Sequence, residues 1–307
     1  MNITLNRVKR SQVVTRDRID FLIRLLNLRR SFLRRKAAKL LPTGYSNDVN
    51  EFRSQGLVTY KDDYLGINTL LDEVYDYCQG LLRANAIKKQ NKSGKDYLQH
   101  LVRRGDFDPA SPVIRLAFNR ELVGQVSRFL GDFPVIADIA LLYSPPASVD
   151  TSEEFTGSQL FHMDADDTAL CKVWFILEDV TMDDGPTVVV SKEPSRVLAK
   201  KIGYHKSSRV KQDNLITGEL DPSQIFTIVG NKKDLLFIDT ANCFHYGSRV
   251  GKHSNGRFML MISYSTSFAL EHGFHGTNSP LKTYPTDFVD SQLNSKFRRM
   301  LVDSTCF

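Results

Sequence analysis

Apolar and polar positions follow two different periods along this chain, and the change from one to the other divides it. Residues 17–40 repeat apolar side chains at helical spacing (Phe21, Leu22, Leu25, Leu28, Phe32, Leu33), with arginines on the opposite side and Pro42 and Gly44 as a stop. The spacing predicts an amphipathic basic helix. Its apolar face is expected to dock on the body of the protein, with a peripheral membrane or acidic-partner contact as the competing use. No aromatic-interleaved basic pattern supports base stacking, so no nucleic-acid partner is expected. A second helix is predicted over 66–90 from Leu70, Leu71, Val74, Tyr77, Leu81 and Leu82, followed by a loop over 91–96. A third, over 112–131, ends at Gly131.

The strand pattern begins after these helices. Residues 134–146 are β-favouring and closed by Pro145 and Pro146. Residues 169–180 form an apolar run in which Lys172 and Glu178 are the only charges before Asp179. A turn at Asp183-Asp184-Gly185-Pro186 leads to a strand over 187–190, and further strands are predicted over 225–230, 234–239 and 257–266. Between them, residues 196–224 are polar and lysine-rich and are predicted to be a long loop, functional or mobile. Its Lys200, Lys201, Lys206, Arg209 and Lys211 would form either a solvated face or a cationic lid over an anionic substrate. Helices first and about eight short strands afterwards argue against alternating βαβ units. The predicted fold is mainly β with helices (α+β): a double-sheet jelly roll of the cupin kind, a double-stranded β-helix, under an N-terminal helical layer. In this division residues 1–45 are a basic amphipathic arm and 46–307 a single domain with its jelly-roll core at about 134–266.

Composition changes this picture in one respect. Apolar content of 41% and charged content of 25% are ordinary for a globular chain, and no apolar run is long enough for a membrane span. The net charge of +6 is uneven, however: residues 1–40 carry twelve Lys and Arg against two Asp, so the remainder is slightly acidic. The basic balance describes the arm and not the body. The opening MNITLNRVKRSQ has no apolar core with a small-residue cleavage site. Cys78, Cys171, Cys243 and Cys306 are scattered without metal-binding spacing. A cytoplasmic location is expected.

The chemistry-bearing residues are His162-x-Asp164, then His245, then Arg257 twelve residues later. In an extended segment, residues two apart point the same way. His162 and Asp164 can thus reach one metal from a single strand end while Met163 faces away. With a distal histidine they form the 2-His-1-carboxylate set that holds non-haem Fe(II) and leaves positions open. Arg257 would share one strand face with Met259, Met261 and Ser263, where a lone cation is costly unless it meets a carboxylate. Cys243 and Cys171 read as small core residues, the Met259/Met261 pair as core filling, and Asp166 and Asp167 as a solvated loop with substrate binding or the orienting of a ligand as the alternative. Among rival distal ligands, His205 lies in the polar segment, His253 on a turn next to Arg257, and His272 and His275 after the last core strand.

The order of these residues resembles the phytanoyl-CoA dioxygenase (PhyH-like) family of Fe(II)- and 2-oxoglutarate-dependent oxygenases. The resemblance is carried over 134–266 by His162 and Asp164, by Trp174, Leu177, Asp179, Gly185 and Val189, by Asp234-Leu235-Leu236-Phe237 with Asp239, and by His245 and Arg257. It implies that His162, Asp164 and His245 ligate iron and that Arg257 clamps the distal carboxylate of 2-oxoglutarate. Trp174 would border the co-substrate, and Tyr143, at the end of the preceding inner strand, would be a further contact. The chain departs from the family at Ser191–Arg196, where a Pro-Gly-Ser-His turn is common, and at Gly247, often a small hydroxylated residue. The implied reaction takes O2 and a small-molecule substrate, anionic or carrier-linked, and hydroxylates an unactivated C–H bond with release of succinate and CO2. Desaturation and cyclisation are variants of it. The retained Asp164 disfavours halogenation, because in related halogenases a small residue there makes room for chloride. Two alternatives stand beside this reading: a cupin-type metal enzyme that does not use 2-oxoglutarate, and a catalytically silent jelly-roll binding module.

Overall fold

The computed structural model describes residues 21–42, 46–61, 66–85, 96–147, 155–206, 208–269, 286 and 292–307. Helix α1 (Leu28–Ala38) continues a helical stretch over 21–26. Then come α2 (Ser46–Gln55), β1 (Leu57–Tyr60), α3 (Asn68–Asn85), β2 (Gln99–Arg103), α4 (Pro112–Ala117), α5 (Arg120–Leu130) and β3 (Val135–Ser144). The second half holds β4 (Leu170–Ile176), β5 (Thr187–Val190), α6 (Lys192–Lys201), α7 (Asn214–Thr217) and β6 (Ile225–Ile228). It closes with β7 (Leu235–Ile238), β8 (His245–Tyr246), β9 (Arg257–Ser265) and α8 (Ser295–Val302).

The strands form two antiparallel sheets. The larger has the order β1-β7-β4-β9-β3-β2 and the smaller β6-β5-β8. Backbone bridges from Phe161 to Val210 and from His162 to His245 extend the smaller sheet past β8. From β3 onward the chain crosses repeatedly between the sheets, since β3, β4, β7 and β9 lie in one and residues 161–162, β5, β6 and β8 in the other. The two-residue period of the strands sorts their side chains into three layers. On β9, Leu260, Ile262 and Tyr264 join a core beneath α3, α4, α5 and α8, whereas Met259 and Met261 join a second core between the sheets. On β5, Val189 faces that inner core, while Val188 and Val190 face a third core with Leu198 and Ala199 of α6. The space between the sheets is where inward polar residues can meet.

Several expectations change. The edge strands β1 and β2 lie among the helices, so the helices do not all precede the strands. The single helix expected over 112–131 is two, because Asn119 adopts extended backbone and its Oδ1 accepts from the amides of Glu121 and Leu122, an N-cap for α5. Gly131 closes α5 in the left-handed conformation, at φ 68°, that side chains disfavour. The polar segment after β5 is not a bare loop: α6 and α7 occupy it, with Ser195, Leu198, Ala199 and Ile216 buried. Lys200, Lys201, Arg209 and Lys211 are exposed there, and Lys206 is buried.

The largest correction concerns the basic helix. Most of its predicted apolar face does not pack on the body: Phe21, Leu25, Leu26, Leu28 and Phe32 are 65, 49, 78, 62 and 67% exposed, and Leu33 is half-buried. Ser31, Arg34 and Ala37 are buried in their place. The reason is Arg34, whose side chain is fully buried and donates to the carbonyls of Phe133 (3.1 Å), Pro134 (3.2 Å), Met300 (2.8 Å) and Cys306 (2.6 Å). These carbonyls lead into β3 and close the C-terminal end of α8, where helical carbonyls lack partners and a cation is favoured.

Candidate metal centre and anion site

The pairing of residues 161–162 with β8 brings the two histidines together. His162 donates its backbone amide to the carbonyl of His245 at 3.0 Å and accepts in return from the amide of His245 at 2.9 Å. Their rings stand 4.2 Å apart between centroids. Asp164 is held by its own amide, which donates to the carbonyl of Thr240 at 2.9 Å. Its carboxylate lies 3.7 Å from His162 Nε2 and 3.9 Å from His245 Nε2, and one ligand atom from each residue lies within 4.8 Å of the others.

Orientation and protonation both suit a cation. His162 Nδ1 lies 2.8 Å from the carbonyl of Leu160, and His245 Nδ1 lies 3.0 Å from that of Cys243. A carbonyl only accepts, so each Nδ1 carries the hydrogen and each Nε2 lone pair turns to the common centre. Burial and the neighbouring imidazole hold His162 well below its ordinary pKa. Burial likewise lowers His245, against the pull of Asp164. Burial alone would raise Asp164, but Lys172, then His245 and His162, outweigh it and hold the carboxyl far below the usual range. Two neutral imidazoles and an ionised carboxylate are the protonation states that metal binding requires.

Lys172 is the residue that the sequence reading did not assign. It follows the β4 alternation inward with Trp174 and Ile176, and its Nζ sits 2.6 Å from Asp164 Oδ2. Burial opposes its charge, yet Asp164 raises its pKa, so the ammonium persists. The available signal was an isolated lysine at an inward strand position, since a buried lysine needs a carboxylate.

Arg257 lies on the same inner face. It is 7% exposed, and its guanidinium donates to Thr187 Oγ1 at 3.3 Å and Ser248 Oγ at 3.4 Å. Among the described residues no carboxylate forms an ion pair with it. Burial lowers its pKa to about 10, with Asp184 opposing, but Asp184 is itself bonded to Thr181 (2.7 Å) and Ser254 (2.5 Å). Beside it runs a pocket lined by Trp174, Ile176, Thr187, Leu236 and Met259, among others, whose lining includes none of the triad. The indole Nε1 of Trp174 is buried without a hydrogen-bond partner, so donors converge here without a carboxylate ion pair among the described residues.

Tyr143 is not brought to this site. It pairs with Phe258 across β3 and β9, stacks on that ring at 4.4 Å and donates to the carbonyl of Asn255 at 3.2 Å. Paired residues share a sheet face, so Tyr143 looks away from Arg257. Its neighbour Ser144 pairs with Arg257 instead, and Ser144 Oγ is 2.8 Å from Ser248 Oγ. Asp167 is buried and accepts from the amides of Thr168 and Thr266, both at 2.7 Å, which ties the loop after the triad to the end of β9. His205 and His253 are exposed, and His272 and His275 lie outside the described residues. Cys171 and Cys243 are fully buried, as expected of core residues.

No family model matches the sequence, and neither does any curated protein sequence. Solved structures do match. EctD from S. alaskensis with 2-oxoglutarate and 5-hydroxyectoine superposes with a TM-score of 0.51 at 18% identity, covering 72% of this chain and 76% of that one. The epimerase SnoN in complex with Fe3+, alpha ketoglutarate and nogalamycin RO gives 0.49 at 16% identity, over 76% and 85%. HygX from Streptomyces hygroscopicus with nickel and 2-oxoglutarate gives 0.48 at 14%, over 73% and 88%. At these identities the likeness concerns the fold alone, which this chain shares with EctD.

Proposed function

We propose that this chain is an Fe(II)- and 2-oxoglutarate-dependent oxygenase of the PhyH-like kind, built on a double-stranded β-helix. It would hydroxylate an unactivated C–H bond of a small molecule. One observation carries the reading: a buried guanidinium that forms no ion pair with a carboxylate among the described residues faces the same inter-sheet space as a His-Asp-His cluster in metal-ready protonation states. A metal alone would explain the cluster. A dianionic chelator that reaches Arg257 explains both.

His162 Nε2, the Asp164 carboxylate and His245 Nε2 would hold the iron, and Arg257 the distal carboxylate of 2-oxoglutarate. When bound, the pair supplies oxidative decarboxylation to succinate and CO2, coupled to oxidation of the substrate C–H bond by O2. The residues of the chain orient and exclude. Thr187 and Ser248 fix the plane of the guanidinium so that its fork meets a carboxylate in bidentate fashion. Trp174 and Met259 wall the path and exclude water, and the Trp174 Nε1–H is available to an oxygen of the co-substrate. The neighbours' printed ligands, 2-oxoglutarate in EctD and HygX and alpha ketoglutarate in SnoN, accord with this reading. The free cysteines, three of them buried, fit a reducing compartment.

A second reading, the silent binding module, draws on the Lys172–Asp164 pair, because an ammonium already neutralises the carboxylate of the cluster. One experiment separates the two. Aerobic incubation with Fe(II) and 2-oxoglutarate should yield succinate, and His162→Ala and Asp164→Ala should abolish it. Arg257→Ala should chiefly raise the 2-oxoglutarate concentration required. No succinate from the wild type, and no visible absorption band on anaerobic addition of Fe(II) and 2-oxoglutarate, would leave the binding module. Turnover persisting in the His162 variant would refute the ligand assignment.

A further inference from the structure

The helix at the start of the described chain is inverted relative to an ordinary amphipathic helix. Phe21 and Leu25 before the turn at Asn27, and Leu28 and Phe32 after it, recur at helical spacing, and they are 49–67% exposed. Leu22 and Leu26 widen the strip, at 54 and 78% exposure. Arg29, Arg35, Lys36 and Lys39 are exposed on the same helix. The opposite face is anchored. Arg34 occupies the backbone carbonyls described above, Arg24 lies 3.6 Å from Asp132, and the guanidinium of Arg30 stacks 4.0 Å over the ring of Phe268. Rolling the helix to bury its leucines would strand the Arg34 cation and its carbonyl partners together. The exposed apolar strip is therefore fixed by the fold.

We infer that this strip is a docking surface for an anionic lipid bilayer, with Phe21, Leu25, Leu28 and Phe32 entering the interfacial region and the flanking cations meeting acidic headgroups. Apolar residues at the centre and long cationic side chains beside them suit a bilayer, since Lys and Arg extend along apolar surface and keep their charges at the headgroup level. Residues 1–20 add five Lys and Arg against two Asp, and such basic segments bind anionic leaflets. A second copy of the chain is the poorer occupant, because a self-complementary contact would bring like-charged rows together. The inference stands independently of the proposed catalysis.

Flotation of the full chain with vesicles tests it. The wild type should float with vesicles containing phosphatidylserine, stay in solution with pure phosphatidylcholine, and be released in part by high salt. Leu25→Glu with Phe32→Glu should weaken partitioning at least tenfold, and so should Lys36→Glu with Lys39→Glu. All four side chains are exposed, so thermal unfolding should be unchanged and a folding defect is separable from a docking defect. Phe32→Trp should show a blue-shifted emission component only with the anionic vesicles. The inference is overturned by absence of binding to phosphatidylserine vesicles, or by binding that the Leu25/Phe32 variant retains. It is equally overturned by a dimer in sedimentation that the same variant dissolves while vesicles are ignored, since the strip would then belong to a second copy. Capture of the strip by an acidic helical-groove protein without vesicle binding overturns it too.

Discussion

Replacing Arg257 by methionine should make the empty protein more stable and its co-substrate binding worse. Burial lowers the guanidinium from its ordinary value to about 10, which corresponds to roughly 3 kcal/mol against the charged form in the native state. At pH 7 the group is protonated in both the folded and unfolded chains, so the whole penalty is present. It fades only as pH rises from about 10 towards the ordinary arginine range, where the native state loses its proton first and stability climbs. Methionine keeps most of the apolar stem and removes the charge. Against that gain stand two long hydrogen bonds, to Thr187 and Ser248, and Ser248 retains Ser144 as a partner. At about 0.5–1 kcal/mol for each lost bond, the net expectation is a stabilisation of about 1–2 kcal/mol, or roughly 2–4 °C in Tm. Adding 2-oxoglutarate with a divalent metal at about a hundred times Kd should raise the wild type by about 2.7 kcal/mol and leave the variant nearly unmoved, which reverses their order. Calorimetry with and without the ligand reads both effects. A ligand-free variant less stable than the wild type would mean that the guanidinium already has its counterion, and equal ligand shifts in both proteins would remove Arg257 from the anion site.

Other consequences can be checked separately. Arg34→Met should act in the opposite sense despite a similarly lowered pKa of about 10, because it strands several buried carbonyls; a loss of about 3 kcal/mol is expected in chemical denaturation. Lys172→Met should bind Co(II) about tenfold more tightly by titration calorimetry, about 1.4 kcal/mol, since the ammonium competes with a cation for Asp164; weaker binding would show that Lys172 positions the carboxylate instead. Tyr143→Phe should change 2-oxoglutarate turnover by less than about twofold, because its hydroxyl serves the Asn255 carbonyl on the far side of the sheet; a large loss would return Tyr143 to the site.

The strand periods, the triad residues and the inward position of Arg257 were legible in the chain because each is a local property. Alternation on β9 alone places Arg257 with Met259 and Met261, and His-x-Asp alone directs two side chains one way. Three features were missed, the first local and the other two not. Asn119 splits a helix whose apolar periodicity runs straight through it, because side-chain capping competes with a pattern that periodicity alone reads as continuous. Lys172 meets Asp164 only once β4 lies across the inter-sheet space from residues 161–164. The basic helix is the clearest case: its period specified two faces correctly, but which face turns inward was decided by carbonyls at Phe133, Pro134, Met300 and Cys306, far away in sequence. Arg34 satisfies them, and unpaired buried carbonyls weigh more than a strip of leucines left in water.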